Sequence, residues 1–502
     1  MIVPNYLTKG EKMKKIIALS AVAFLSTSIY ANADVQSQID ELNAKLQKLE
    51  KLNERQNKSI SEVKMQSAKD NIKFDVDFRT AYDNLQYKTV SGAKFENDAL
   101  FSNRLWLNMG YAPTDTMIFK GQLAYHKAFG AAPSADANGL YPQRGMGFDT
   151  FDWIANQTLN DDKIRVREAY WLWTPKLGDF DFTASVGRRP STNGYLANIR
   201  EDDDHAKSPS GHVINMEFDG ASFGVKTDLL LPGMLFKVCL GRGLTNAKAW
   251  SNEADSYVNW TPSPAFPSTS PNYIEADSGL DTVDMAGFIF VPYNDGQYGI
   301  QTTWYRGFDV PGLNAFARMM GGQAAIMENK GDMDGMAISM QAKGIGDGIS
   351  DFLDDTTIFA SYAVSKSHPK NGNTMFNSSD SKTGNSVWIG ATMPNLIGGK
   401  LGLEWNRGSK DWKAFTFGED TMIGSKLNVR GNAYEAYWTQ PLIDDVFSMQ
   451  VRYTYIKYDY TGSNGFFGDG GMSMKVADML AAGMGDPVEE ASDLRVYFRY
   501  RY

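Results

Sequence analysis

The last ten residues of the chain alternate strictly between two kinds of side chain. Leu494, Val496, Phe498, Tyr500 and Tyr502 share one face, and Arg495, Tyr497, Arg499 and Arg501 share the other. A period of two predicts a β-strand, because successive side chains of a strand point to opposite faces. Arginines avoid lipid and five large apolar groups avoid water, so the two faces must meet different surroundings. Lipid outside and a polar interior, as in a transmembrane β-barrel, satisfy both.

Similar alternation recurs along residues 70–502 in segments of about ten residues, the length that a tilted strand needs to cross a bilayer. The predicted strands are 72–83, 101–111, 116–127, 163–173, 180–189, 213–229, 234–243, 282–292, 297–308, 334–344, 355–366, 385–393, 400–408, 431–440, 446–459 and 493–502. This count of sixteen predicts an all-β barrel of antiparallel strands that encloses an aqueous channel unless something fills it. Two soluble β-sandwiches are the alternative, but they would bury the inward arginines without partners.

The predicted connections alternate between short turns, most of which contain proline, and long loops. Outer-membrane barrels have this arrangement, with the short turns on the periplasmic side. The alternation of short turns and long loops argues against a hairpin turn at Asp219 and Gly220, because such a turn would place the long loop 244–281 on the periplasmic side. We therefore predict one strand over 213–229, with a bulge or bend at Gly220.

The start of the chain has the pattern of a secretory signal. Met13 and two lysines precede an apolar run from Ile16 to Leu25, and small residues follow up to Ala33. We predict a signal peptide over residues 1–33, with Met13 as the true start and cleavage after Ala33. A transmembrane anchor is the alternative, although the run is shorter than the roughly 20 residues that a spanning helix needs.

A heptad pattern occupies residues 34–68, between the signal and the first strand. Apolar and amide residues fill its core positions: Ile39, Leu46, Asn53 and Ile60 at a, and Val35, Leu42, Leu49, Gln56 and Val63 at d. This pattern predicts a periplasmic α-helical coiled coil that associates with other copies and contacts a periplasmic partner or peptidoglycan. A single helix packed on the barrel is the alternative. Isoleucine at a with leucine at d favours a dimer.

Composition agrees with an exported β-rich chain. The sequence has a single cysteine and a formal net charge of −9, and removing residues 1–33 takes away more lysines than acids. A strongly acidic chain is a poor partner for nucleic acid, and one cysteine excludes an intramolecular disulfide framework.

The fifth predicted strand, Phe180 to Arg189, ends in Gly187-Arg188 and leads into a loop that contains Glu201, Asp202, Asp203 and Asp204. This layout resembles the sixteen-stranded trimeric general porins of Gram-negative outer membranes. The resemblance implies that loop 190–212 folds inward and carries these acids to a constriction. It also implies a homotrimer, which we predict over the dimer that the heptad favours. The combination of a signal peptide, a short coiled coil and a barrel is also similar to Campylobacter-type outer-membrane proteins.

Basic residues on the inward faces fall at similar distances from the periplasmic strand ends. The predicted pore-lining belt consists of Arg79, Arg104, Lys120, Arg165, Arg167, Arg452 and Arg495. Closure of the last strand on the first would bring these residues together as one basic wall at mid-depth. Acids 201–204 on the opposite side would then set a transverse field at the constriction. A solvated tip for the acidic loop is the alternative.

The remaining motifs do not indicate chemistry. Gly220 to Gly224 fits G-x-S-x-G but lacks the strand-to-helix context of a nucleophile elbow, and the four histidines lack metal-ligand spacing. We therefore predict no enzyme activity, no metal and no cofactor. The prediction is an outer-membrane porin for passive diffusion of small hydrophilic solutes or ions. The alternative is a structural barrel, plugged by loops 128–162 and 244–281, whose coiled coil tethers the envelope or docks a periplasmic partner.

Overall fold

The computed structural model describes residues 72–130, 164–189, 191–203, 205–245, 247–248, 274–275, 282–313, 327–346, 348–465, 467–468 and 471–502. The predicted signal peptide and coiled coil lie outside the described residues, and so do Asp204 and most of loops 128–162 and 244–281.

Sixteen antiparallel strands close into a transmembrane β-barrel, as the alternation predicts. The strands are β1 (Lys73–Thr89), β2 (Lys94–Tyr111), β3 (Met117–Ala128), β4 (Ile164–Trp173), β5 (Phe180–Arg189), β6 (Phe218–Thr227), β7 (Met234–Leu244), β8 (Val283–Asn294), β9 (Tyr298–Leu313), β10 (Met327–Lys343), β11 (Thr357–Pro369), β12 (Thr383–Pro394), β13 (Lys400–Gly408), β14 (Gly431–Ile443), β15 (Phe447–Tyr458) and β16 (Val488–Arg501). Each strand pairs with its chain neighbours, and β16 pairs with β1 to complete the ring. Closure leaves no open sheet edge within the bilayer.

The two faces of β16 have the predicted directions. Phe498 and Tyr500 are exposed on the outside of the barrel, whereas Arg495, Tyr497 and Arg499 are buried inside it. Stacked rings continue the outer surface onto β15, where the Phe447 and Phe498 centroids lie 5.9 Å apart. The outer face is therefore the apolar one, and the charged side chains are enclosed.

Several predicted strand boundaries differ from the structure, among them those of β1, β2 and β6. Strands β1 and β2 extend past the predicted ends to a short hairpin between Thr89 and Lys94, where their polar residues no longer face lipid. Strand β6 begins at Phe218, because residues 213–217 belong to an inserted loop. The single strand through Asp219 and Gly220 is confirmed, but the predicted bulge is wrong, since the register with both neighbours is continuous there. Gly220 is small because a Cβ atom there would lie 2.0 Å from the Leu240 carbonyl oxygen.

The interior of the barrel contains a packed core. Buried side chains from β8 to β11 and from loops 190–217, 370–382, 409–430 and 459–475 form one apolar cluster, which includes Val213, Ile214, Met333, Phe376, Trp412, Phe415 and Phe467. Helices are short: α1 (Ala197–Arg200), α2 (Asp351–Asp354), α3 (Val476–Ala481) and a 3₁₀ turn at Lys426–Asn428. Among the described residues, no helix is long and apolar enough to cross a membrane.

Candidate functional site

Loop 190–217, between β5 and β6, enters the lumen and is buried along most of its described length. Residues Gly194–Tyr195 pair in parallel with Lys207–Ser210, and α1 lies between these two short segments. The backbone has positive φ on both sides of the helix, at Leu196 (75°) and Asp202 (51°). These sharp bends place Glu201, the residue after α1, deep inside the barrel.

Glu201 meets a wall of arginines from β15, β16, β1 and β2. We call Arg79, Arg104, Arg452, Arg495 and Arg499 the arginine wall; all five are buried. The register sets Arg79 opposite both Arg104 and Arg499, and Arg452 opposite Arg495. Like charges directly opposite each other on neighbouring strands are destabilising, so this wall requires counter-charges.

A second loop, 409–430 between β13 and β14, supplies the central counter-charge. Asp420 forms two hydrogen bonds with Arg79, of 2.5 Å (Nη1 to Oδ2) and 3.0 Å (Nη2 to Oδ1). Its carboxylate also lies 3.0 Å from Nη1 of Arg495 and 3.5 Å from Nη2 of Arg452. One aspartate therefore supplies the counter-charge for arginines on three adjacent strands, β15, β16 and β1.

Glu201 completes the neutralisation from the other loop. Its carboxylate lies 3.8 Å from the guanidinium nitrogens of Arg104, Arg452 and Arg499. Its carbonyl oxygen accepts a 2.9 Å hydrogen bond from Nη1 of Arg499. Arg200 extends the network, because it lies 3.3 Å from both Glu201 and Glu419.

The electrostatics of these loop carboxylates follow from their surroundings. Burial and the nearby Asp420 charge would raise the pKa of Glu201, but Arg200, Arg104 and Arg499 lower it to about 2. Burial would also raise the pKa of Asp420, yet the charges of Arg79, Arg495 and Arg452 hold it well below its usual value. Both groups are therefore carboxylates at neutral pH. Among the described residues, loss of both would remove the carboxylates within 4 Å of Arg79 and Arg452, whereas Arg495 would keep Asp83, and Arg104 and Arg499 would keep Asp77.

The opposite side of loop 190–217 is fixed by uncharged hydrogen bonds. His212 is fully enclosed, with Nδ1 2.8 Å from Oγ of Ser361 on β11 and Nε2 2.9 Å from Oγ of Ser386 on β12. Ser210 contacts Ser339 on β10 through their hydroxyls at 2.8 Å. Burial lowers the pKa of His212 to about 3, so the ring is neutral when docked. The loop thus spans the lumen from a charged wall to a serine-lined wall.

The two inserted loops also pair with each other. Ile214 and Phe415 form an isolated parallel β-bridge, with hydrogen bonds of 2.7 Å from Asn215 N to Phe415 O and 3.0 Å from Phe415 N to Val213 O. The Phe415 ring stacks on Tyr305 of β9 at 5.1 Å. Loops 190–217 and 409–430 therefore form one unit inside the barrel, which we call the paired loops.

The predicted belt residues fall into different environments. Arg79, Arg104, Arg452 and Arg495 meet at Asp420, although the register places them in two rows rather than at one height. Asp83, not Arg79, is the residue of β1 that stands opposite Arg495. Their assignment as pore-lining residues remains a prediction, and in the described conformation these four are enclosed by protein.

Three predicted belt residues lie away from Asp420. Arg167 occupies a bulge of β4 and forms a 3.0 Å ion pair with Glu217, and its guanidinium covers Trp106, as does that of Arg104. Arg165 is half-buried on the same strand, and Lys120 of β3 is exposed.

The predicted acids of the constriction loop also separate. Glu201 reaches the arginine wall, whereas Asp202 pairs with Lys400 at 2.8 Å and Asp203 accepts a hydrogen bond from the backbone of His205. Asp204 lies outside the described residues. Their joint role as constriction acids remains a prediction.

Sequence reasoning missed the second loop and the charges it brings. Glu419, Asp420 and Lys426 are buried in loop 409–430, and Arg200 and Arg499 complete the network. The alternation of β16 did place Arg499 on the inward face. On the four adjacent strands β15, β16, β1 and β2, inward-facing arginines outnumber inward-facing acids. This excess is visible in the sequence and indicates that carboxylates must come from another part of the chain. Among the described residues, no cluster of histidine, cysteine or acids forms a metal site.

Comparisons with known proteins give the following relationships. Solved structures similar to this chain include OprB of Pseudomonas putida, with 11% identity, a TM-score of 0.45 and coverage of 88% of this chain and 96% of that one. A loop L8 deletion mutant of OmpT, an outer membrane protein of Vibrio cholerae, has 11% identity, a TM-score of 0.42 and coverage of 86% and 99%. The anion-selective porin from Comamonas acidovorans has 10% identity, a TM-score of 0.41 and coverage of 86% and 99%.

No curated protein matches the sequence. The model of one family, described as "Protein of unknown function (DUF3373)", matches residues 94–502. That match covers the barrel from β2 to the end of β16, including both inserted loops. The chain therefore belongs to the DUF3373 family.

Proposed function

We propose that the protein is an outer-membrane channel for small hydrophilic solutes or ions, with its passage narrowed by the paired loops. One observation carries the proposal: Glu201 and Asp420, from two different loops, meet the arginine wall inside a barrel of sixteen strands. Barrels of this size leave an aqueous lumen unless it is filled, and an inserted charged loop restricts what passes.

Ion pairing gives the paired loops two distinct arrangements. When Glu201 and Asp420 dock, they add two carboxylates to a wall whose own acids are Asp77 and Asp83, and the lumen is crossed at that level. When they leave, Arg79 and Arg452 lose these carboxylate partners and become fixed positive charges around a wider passage. The described conformation is the docked one, and we propose that conduction requires partial displacement of the paired loops.

A plugged structural barrel is the second candidate, and one observation favours it. The paired loops bury apolar side chains such as Ile214 and Phe415 against β9 and β10, inside the lumen. Such a core resists water and would hold the loops in place permanently. In this alternative the barrel supports the envelope and does not conduct.

Recording in planar bilayers separates the two candidates. The channel proposal predicts stepwise conductance of small amplitude for the purified wild-type protein and larger or more frequent steps for E201Q/D420N. E96Q is the matched control, because Glu96 is an exposed acid at the far end of β2. An absence of steps in every folded variant would contradict the channel proposal and support the plugged barrel.

The assembly and the N-terminal segment belong to the same proposal. We propose a homotrimer in outer-membrane lipid, with residues 34–68 in the periplasm in contact with a partner or with peptidoglycan. Support comes from the heptad pattern and from the chain entering β1 at the short-turn end of the barrel. Removing residues 34–68 should weaken envelope integrity while leaving the conductance of the barrel unchanged.

A further inference from the structure

In the part of the chain that the structure describes, strands β5 and β7 place two cations in the lumen without a carboxylate partner. Arg189 is 8% exposed, and its Nη1 donates to Oγ of Ser222 at 2.7 Å and to the Ser185 carbonyl at 3.3 Å. Its Nε has no hydrogen-bond partner among the described residues. The inward-facing Lys237 donates from Nζ to Oγ of Ser208 at 3.0 Å.

This arrangement contrasts with the arginine wall, where each cation faces carboxylates. Among the described residues, no carboxylate lies within ion-pairing distance of Arg189 or Lys237. Glu168 interacts with Arg189 electrostatically at longer range, but its carboxylate forms a 3.0 Å ion pair with Lys207. The two cations repel each other and both are largely removed from water. Buried charges of one sign are costly unless an opposite charge joins them.

A small void lies beside these cations. Its volume is about 40 Å³ and its walls are mostly apolar. Arg189, Ser191, Ser208, Ser222, Cys239 and Thr303 contribute the polar groups, and Lys237 is connected to the void through its hydrogen bond to Ser208. This volume counts only the positions open to the centre of a water molecule, so the void has room for a chloride-sized ion and accompanying water.

We propose that this void is a binding site for a small monovalent anion of about the size of chloride. The anion would accept a hydrogen bond from Nε of Arg189 and balance the charges of Arg189 and Lys237. Hydroxyl groups of Ser191, Ser208 and Thr303 supply further donors. The site is distinct from the arginine wall, and it does not depend on whether the barrel conducts.

Chloride binding to the purified, folded protein tests the proposal directly. The ³⁵Cl NMR line should broaden in the presence of wild-type protein, and R189Q/K237Q should abolish most of that excess broadening. K226Q is the matched control, since Lys226 is an exposed cation of the same wall that stands opposite Asp181. Equal broadening by wild-type protein and the folded double variant would overturn the proposal.

The native thiol gives a second test that needs no substitution. Cys239 is the only cysteine of the chain and lines the void. Its modification by N-ethylmaleimide should be several-fold slower in chloride than in gluconate at equal ionic strength, because a bound chloride covers the thiol and repels the thiolate. Equal ionic strength keeps general screening the same in both salts. Equal modification rates would contradict anion binding at this void.

Discussion

Arg79 and Asp420 form a two-point ion pair between positions 341 residues apart, at 2.5 Å and 3.0 Å. Arg79 belongs to the first barrel strand, whereas Asp420 belongs to a loop near the end of the chain. The pair is almost fully shielded from water. A buried charge that loses its partner is strongly destabilising, so this contact fixes where loop 409–430 lies.

We first predict the effect of breaking this pair. Asp420→Asn leaves Arg79, Arg452 and Arg495 without their shared carboxylate and should destabilise loop docking by about 3–5 kcal/mol. Arg79→Gln combined with Asp420→Asn should cost less than the sum of the single changes, because the double variant leaves one fewer cation unpaired. Urea unfolding of the wild-type protein, the two single variants and the double variant in detergent measures the coupling free energy between the two side chains. Additive effects would show that the two side chains do not interact.

Acid should release loop 190–217 through His212. The ring titrates near 6.5 in its ordinary state, and burial lowers the pKa to about 3 when the loop is docked. Between these values only the undocked histidine takes up a proton, so docking weakens as pH falls from about 6.5 to about 3 and then levels off. Glu201 weakens docking further as pH falls from 4.5 to about 2, because the pKa of Glu201 in the docked loop is lower than its ordinary value.

Channel opening as a function of pH measures this release. Open probability should rise below pH 6.5 in the wild-type protein. His212→Gln should flatten the response between pH 6.5 and 4.5 and leave the lower transition in place. An unchanged profile in the His212 variant would rule out His212 as the titrating group.

Gly384 of β12 should be essential for docking loop 409–430. A Cβ atom at Gly384 would lie 2.2 Å from the Trp412 backbone nitrogen, so Gly384→Ala forces the loop away at a cost of about 1–3 kcal/mol. Lys413, which is fully buried in the docked loop, should then become accessible to trypsin. Gly110→Ala on β2 is the matched control, because nothing lies within 4 Å of the position that its methyl group would occupy. Equal tryptic cleavage after Lys413 in both variants would contradict the packing role.

The outer face of β16 should tolerate no charge near the bilayer midplane. Phe498→Arg should impair assembly by about 2–4 kcal/mol at that depth and by less near the interface. Phe498→Leu keeps the surface apolar and serves as the control. Heat-modifiable migration on gels reports the folded fraction, and normal folding of the arginine variant would reverse our assignment of the two faces.

The fold could be predicted from the sequence because each barrel strand alternates between lipid-facing and inward-facing side chains. Phe498 and Arg499 alternate because one meets lipid and the other the interior, and the same contrast repeats in all sixteen strands. The apolar outward face ends where the strands leave the membrane, so the extensions of β1 and β2, residues 84–89 and 94–100, were missed. In the β1 extension the outward face carries Gln86 and Lys88, while Leu85 and Tyr87 on the inward face pack in an apolar cluster, so the alternation is reversed.

The site was less predictable because its partners are joined only by the fold. The inward direction of Arg79 and Arg495 follows from strand alternation, but no local pattern marks Asp420 as their partner. Loop 190–212 was expected to enter the lumen, and loop 190–217 does so. Its companion, loop 409–430, has no periodic feature that distinguishes it from a loop on the surface.

The measurement that tests our central claim most directly is a reversible link between the paired loops. Ile214 and Phe415 are bridge partners, and paired strands lie about 4.8 Å apart, which is within the range that a disulfide spans. Ile214→Cys with Phe415→Cys, in a Cys239→Ser background, should therefore oxidise in the folded barrel. Single-channel recording should show the oxidised protein held at low conductance and larger steps after reduction. Failure of the disulfide to form in folded protein, or equal large conductance before and after reduction, would contradict a lumen narrowed by the paired loops.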